Sequence, residues 1–114
     1  MGRLEIARGD VVLMVVPSDL GRPRPGIVVQ SDEFSDDLST IFVCPVSSDV
    51  QDKLPLRPRI EAAPENGLRL HSLIMTDKMV ALGRHRIRRV IGRIDTETSK
   101  QLDSALLVVL GLAR

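Results

Sequence analysis

Gly21-Arg22-Pro23-Arg24-Pro25-Gly26-Ile27-Val28-Val29-Gln30 is the stretch on which the fold turns, a proline- and arginine-crowded turn running straight into β-branched residues. Pro23 and Pro25 fix φ and push Arg22 and Arg24 toward extended geometry, while Gly26 permits backbone positions that a Cβ disfavours. The turn is therefore stiff, and residues 26–30 read as a strand covered on both faces. Arg24 stands at the mouth of that strand, and a planar fork of donors on a rigid base suits a phosphate. A basic turn that merely keeps the strand soluble is the plainer alternative.

Working outward, Arg8-Gly9-Asp10 is a turn opening onto six apolar residues, 11–16, which Pro17-Ser18-Asp19 stops. This is a first, central strand. Residues 31–37 form an acidic loop or one helical turn, and residues 40–46 a third strand. Ser47-Ser48-Asp49 closes it, a polar cluster of the kind that places hydroxyls in a cleft. Residues 56–61 alternate apolar and charged around Pro58, which marks an edge strand because proline cannot donate to a ladder. Residues 70–75 make the next strand and residues 80–82 another. Many short strands with close turn signals predict a small barrel or half-open sheet.

The C-terminal segment has a different period. Asp95 can cap a helix and Glu97 complements its positive end, while Leu102, Ala105, Leu106, Val109, Leu110 and Ala113 recur at three- and four-residue spacing. One amphipathic helix follows, with an apolar face broad enough to serve a dimer. The fold class is α+β, mainly β, and residues 1–114 read as a single domain.

Composition narrows the function. Sixteen Lys and Arg against fifteen Asp and Glu leave a formal charge of +1, so no global field draws the chain to nucleic acid or membrane. A polyanion must be held by local patches, and the one dense basic cluster is Gly83-Arg84-His85-Arg86-Ile87-Arg88-Arg89, between the sheet and the helix. A solvated face is its plainer reading. Phe34 and Phe42 are the only aromatics, which removes the usual stacking platform for single strands. The lone Cys44 cannot form an internal disulfide and reads as core. No metal site or cofactor is expected, since His71 and His85 lack ligand spacing. The apolar run at 11–16 is far too short to span a membrane and no signal peptide is apparent, so a cytoplasmic chain with no membrane partner is expected.

Taken together, Arg8-Gly9-Asp10-Val11, Arg24-Pro25 before Ile27-Val28-Val29-Gln30-Ser31-Asp32, and Cys44-Pro45-Val46-Ser47 resemble the MazF/PemK family of toxin endoribonucleases. Ser72-Leu73-Ile74-Met75-Thr76-Asp77 resembles that family's strand with an acidic residue near its end, and residues 86–95 resemble the approach to its last helix. The resemblance implies an SH3-like barrel, a homodimer, a cognate antitoxin partner, and metal-independent cutting of single-stranded RNA by the ribose 2′-hydroxyl. It implies catalytic roles for Arg24 as phosphate holder or proton donor, for Ser47 as a phosphate-bonding hydroxyl, and for Asp77 as the base, which requires its pKa to rise toward neutrality. Arg22, Arg84, Arg86 and Arg88 would bind RNA. Asp19 is the nearest acidic residue where the family's Gly-x-Glu-Gln stretch is missing. Met75 stands where PemK-like members carry a cation, leaving Arg69 or Arg84 as substitutes. The same fold serves CcdB-like gyrase poisons, but this chain ends without their tryptophan. An inactive, antitoxin-binding family member is a further alternative.

Overall fold

The computed structural model describes residues 4–51 and 56–113. Strands β1 (Asp10–Val15), β2 (Pro23–Val28), β3 (Thr40–Ser47), β4 (Arg59–Ile60), β5 (Ser72–Ile74), β6 (Val80–Gly83) and β7 (Ile87–Arg93) precede one helix, α1 (Thr96–Val109). Every pairing is antiparallel, in the order β4-β5-β3-β2-β1-β7, with β6 also on β3.

Alternation along the strands sends successive side chains to opposite faces, and both faces are covered. Val11, Ile27, Cys44 and Ile74 pack with Leu102 and Leu106 of α1. Val12, Met14, Val28 and Val43 turn the other way and meet Ile6, Leu82 and Ile87. A curled half-barrel with one helix results, as the mainly-β reading expects. Cys44 is fully buried, and burial pushes its thiol up to about 12, so it is core and not a nucleophile.

Asp95 caps α1 by accepting from the Thr98 amide at 2.7 Å. Leu102, Ala105 and Leu106 are buried, but the helix stops before the end of the apolar pattern. Leu110 is its C-cap and Ala113 lies beyond. The cause is Gly111 at φ 76°, which lets Gly111 donate to the Val108 carbonyl at 3.0 Å and Leu112 to that of Leu107 at 2.8 Å, a Schellman closure.

Two sequence expectations need correction. The second strand begins at Pro23, not Gly26, so Arg24 lies inside β2, opposite Met14 of β1. Prolines are tolerated there because β3 pairs β2 only from Gly26 to Val28, leaving the outer part of β2 with β1 as its one partner. Pro23 and Pro25 alternate, so both missing donors fall on the same, unpaired edge. The basic cluster, placed between sheet and helix, is instead a 3-10 turn at Arg84–Arg86 running into β7. Two register shifts break the β1–β7 ladder and leave the consecutive Arg88 and Arg89 both exposed. Bulges of this kind re-aim side chains and hide a strand from a period-two search.

Candidate active site

The β2–β3 ladder closes at Gly26 opposite Pro45, and beyond it the strands part. Arg24 lies two residues out on one branch and Ser47 two residues out on the other, where β3 goes on to pair Leu73 of β5. By alternation Arg24 shares a face with Gly26 and Val28, and Ser47 shares one with Val43 and Pro45. Both point to the face opposite α1. Arg24 and Ser47 thus flank one fork.

The Arg24 side chain is half exposed, and its Nε donates to Asp19 Oδ2 at 2.6 Å. That hydrogen bond, and then the carboxylate's charge, raise the arginine above its ordinary pKa, so it stays a cation. Ser47 Oγ accepts from the Asp49 amide at 3.1 Å, the local strand-end bond that hydroxyls of this type make. Its own proton remains to be donated.

Asp77 sits in the 3-10 turn Thr76–Lys78 after β5. Arg57 grips it bidentately, with Nε to Oδ1 and the terminal nitrogen to Oδ2, both at 2.9 Å. Backbone contacts fix the approach of residues 56–58, since Thr76 Oγ1 donates to the Leu56 carbonyl and the Ile74 amide donates to that of Pro58 at 2.8 Å. The Arg57 guanidinium holds the Asp77 carboxyl below the usual carboxylate range. This is opposite in direction to what the role of general base at neutral pH requires. Arg57 escaped the sequence reading because it comes from twenty residues away with no periodicity to announce it. It is the arginine that engages the Asp77 carboxylate.

Among the basic candidates Arg84 is engaged structurally. Its terminal nitrogens donate to the carbonyls of Ser35 at 2.5 Å and Leu4 at 3.1 Å, tying the turn before β7 to the β2–β3 loop and the N-terminal segment. Arg22 and Arg88 are exposed and Arg86 partly so. Met14 pairs Arg24 on one side and Ile87 on the other. Arg86 and Arg88 therefore bracket the row that carries Arg24, two strand spacings or roughly 10 Å across the sheet. Among the described residues no three His, Cys, Asp or Glu side chains gather in a metal-holding group, and no helix is long and apolar enough to cross a membrane.

The Arg57–Asp77 pair makes a pH prediction. A carboxyl lowered in the fold contributes stability that is present above its unfolded pKa, near 4, and is lost as pH falls through the folded value. Asp77→Asn should remove this component. Thermal midpoints followed from pH 7 to pH 3 should fall less steeply for the variant than for the wild type, and parallel curves would deny the pair that role.

The chain is a curled antiparallel half-barrel with one C-terminal helix, carrying an arginine and a serine on the two branches of the β2–β3 fork. A family model described as the PemK-like, MazF-like toxin of type II toxin-antitoxin systems matches residues 7–110. The chain is 37% identical over 93 residues to the probable endoribonuclease MazF of Mycolicibacterium smegmatis, covering 82% of this chain and 84% of the relative. It is 30% identical over 112 residues to the endoribonuclease EndoA of Bacillus subtilis, covering 94% and 96%. A solved mycobacterial endoribonuclease in complex with its cognate antitoxin superposes with a TM-score of 0.79 at 16% identity, covering 96% of this chain and 99% of that one. This chain belongs to the PemK/MazF toxin family.

Proposed function

We propose that this chain is the toxin of a type II toxin–antitoxin pair and acts as an endoribonuclease on single-stranded RNA. The observation that carries the reading is Arg24, an exposed guanidinium fixed by Asp19 on one branch of the β2–β3 fork, with Ser47 on the other branch, inside a chain whose relatives are named endoribonucleases. Arg24 would neutralise the charge gathering on phosphorus, and Ser47 would donate to the same phosphate. Attack by the ribose 2′-oxygen forms a bond to phosphorus while the bond to the 5′-oxygen breaks. The 2′-proton is taken up as the 5′-oxygen gains one, leaving a 2′,3′-cyclic phosphate and a 5′-hydroxyl.

Arg22, Arg86 and Arg88, exposed or partly so, are the cations available to the neighbouring phosphates. An acidic segment of the cognate antitoxin would compete for the same cations. Leu107, Val108, Leu110 and Leu112 remain exposed at the end of α1, an apolar surface for a second copy in a cytoplasmic homodimer.

The test is incubation of the purified chain with a long single-stranded RNA in EDTA, followed by mapping of the ends. Discrete cuts that leave cyclic phosphates, and that vanish when the ribose at the cut is 2′-deoxy, are expected. Intact RNA under these conditions would overturn the metal-independent ribonuclease reading.

A further inference from the structure

The β1–β2 connection is built to place one carboxylate. Asp19 donates its amide to the Val16 carbonyl at 2.9 Å and accepts from the Arg22 amide at 3.1 Å, closing a tight turn over residues 19–22. The two central residues are both left-handed, Leu20 at φ 54° and ψ 34° and Gly21 at φ 80°. This is the type I′ geometry that matches the twist of a hairpin. Glycine takes such a conformation freely, but leucine does not, and Leu20 is almost wholly exposed, so no buried contact of its side chain compensates the strain. The turn holds its shape at a local cost, and its consequence is that Asp19 faces Arg24.

The form of that contact matters. Asp19 takes the Nε–H of Arg24, at 2.6 Å, from the side. A guanidinium has five donors in a plane, and engagement at Nε leaves the terminal nitrogens open to a second anion. A carboxylate on the terminal edge would instead occupy the place a phosphate needs. We infer that Asp19 is a positioning residue for the cleavage reaction, holding the Arg24 guanidinium by Nε so that its terminal nitrogens face the scissile phosphate. The inference rests on the ribonuclease reading of this site. Asp19 touches no reacting atom; it acts through Arg24, by removing rotamer freedom that would otherwise be lost on the way to the transition state.

The alternative is that Asp19 is a counter-ion that substrate must displace, and the two readings differ in sign. For a positioning residue, Asp19→Ala lowers kcat by about 10- to 100-fold, the scale for a catalytic group released from its geometry. Binding of an uncleavable RNA, 2′-deoxy at the mapped cut, changes far less. Asp19→Asn, which keeps a neutral acceptor for Nε, restores part of kcat. A displaced counter-ion gives the reverse, with tighter RNA binding and undiminished or faster cutting by Asp19→Ala, and that result overturns the inference.

A second measurement does not depend on cleavage. The Arg24 side-chain ¹⁵N resonances of the wild-type chain are followed while inorganic phosphate is added. The Nε–H signal should stay in its hydrogen-bonded position, and lose that position in Asp19→Ala, while phosphate moves the terminal nitrogens. Displacement of Nε by phosphate overturns the inference even in a chain that cuts no RNA. Absence of cutting by the wild type, with Nε held as expected, counts against the ribonuclease reading instead.

Discussion

Arg24→Ala is expected to lower RNA cleavage by about 10²–10³-fold, the loss seen when one donor to a developing oxyanion is removed from a catalytic site. Folding should be nearly indifferent to the change. Arg24 is half exposed, its partner Asp19 is one-third exposed, and exposed pairs contribute little because water solvates both groups well in either state. The backbone at this point is held by pairing with Met14, which a side-chain truncation leaves in place. The informative companion is Arg24→Lys. Lysine keeps the charge as a point but loses the planar fork and the Nε–H that Asp19 engages, so its activity should fall close to that of alanine. Single-turnover cleavage of one mapped RNA, with thermal midpoints alongside, checks both. Wild-type rates in Arg24→Ala would move the phosphate site elsewhere on the molecule.

The same residues show how much of this architecture the sequence carries. β1 and β3 are legible because each is an unbroken apolar run between turn formers, and α1 because Asp95 marks its start and Leu102, Ala105 and Leu106 repeat on one face. β7 is illegible because Arg89 falls where alternation from Ile87 demands an apolar residue, and only the register shifts against β1 explain why two consecutive arginines are exposed there. The outer half of β2 is hidden by its prolines, whose acceptability depends on where β3 stops pairing. Arg24 and Ser47 stand out in sequence through the resemblance. Their common face follows only once the register of β2 and β3 is known.

Long-range side-chain hydrogen bonds, charged or not, are the other hidden layer. Arg57 and Asp77, or Arg84 and the Ser35 carbonyl, are joined across sequence separations of 20 and 49 residues, with nothing local to link them. The pairings change roles. Arg84, legible as one cation in a basic cluster, is a structural tie. Asp77, legible as a candidate base, is an ionised carboxylate in a guanidinium's grip. A charge pattern reports which cations exist, and only the fold reports which are already engaged.

Gly92→Ala should be the most damaging single methyl in the sheet, with a loss of about 3 kcal/mol or more, at the upper end for overpacking a fixed site. A Cβ at Gly92 would stand 2.5 Å from the Glu65 carbonyl oxygen and 2.6 Å from the Asn66 Cα, both backbone atoms. Backbone of this kind does not yield cheaply. The Arg93 amide donates to the Glu65 carbonyl at 2.8 Å, and buried Asn66 holds the turn by donating to the Glu61 carbonyl and accepting from Ala63 and Leu68. Gly21→Ala is the matching control. It has open space around the new methyl but a φ of 80°, so it should cost only the conformational strain, about 1–2 kcal/mol. Urea unfolding separates the two, and equal losses would mean that the 61–68 turn moves aside. The effect should reach function as well, because β7 carries Arg88 and Arg89 on the strand that the turn clamps. Mild destabilisation that leaves the fold intact should weaken RNA binding more than it slows cutting of RNA already bound, since Arg24 lies on β2, separated from β7 by β1.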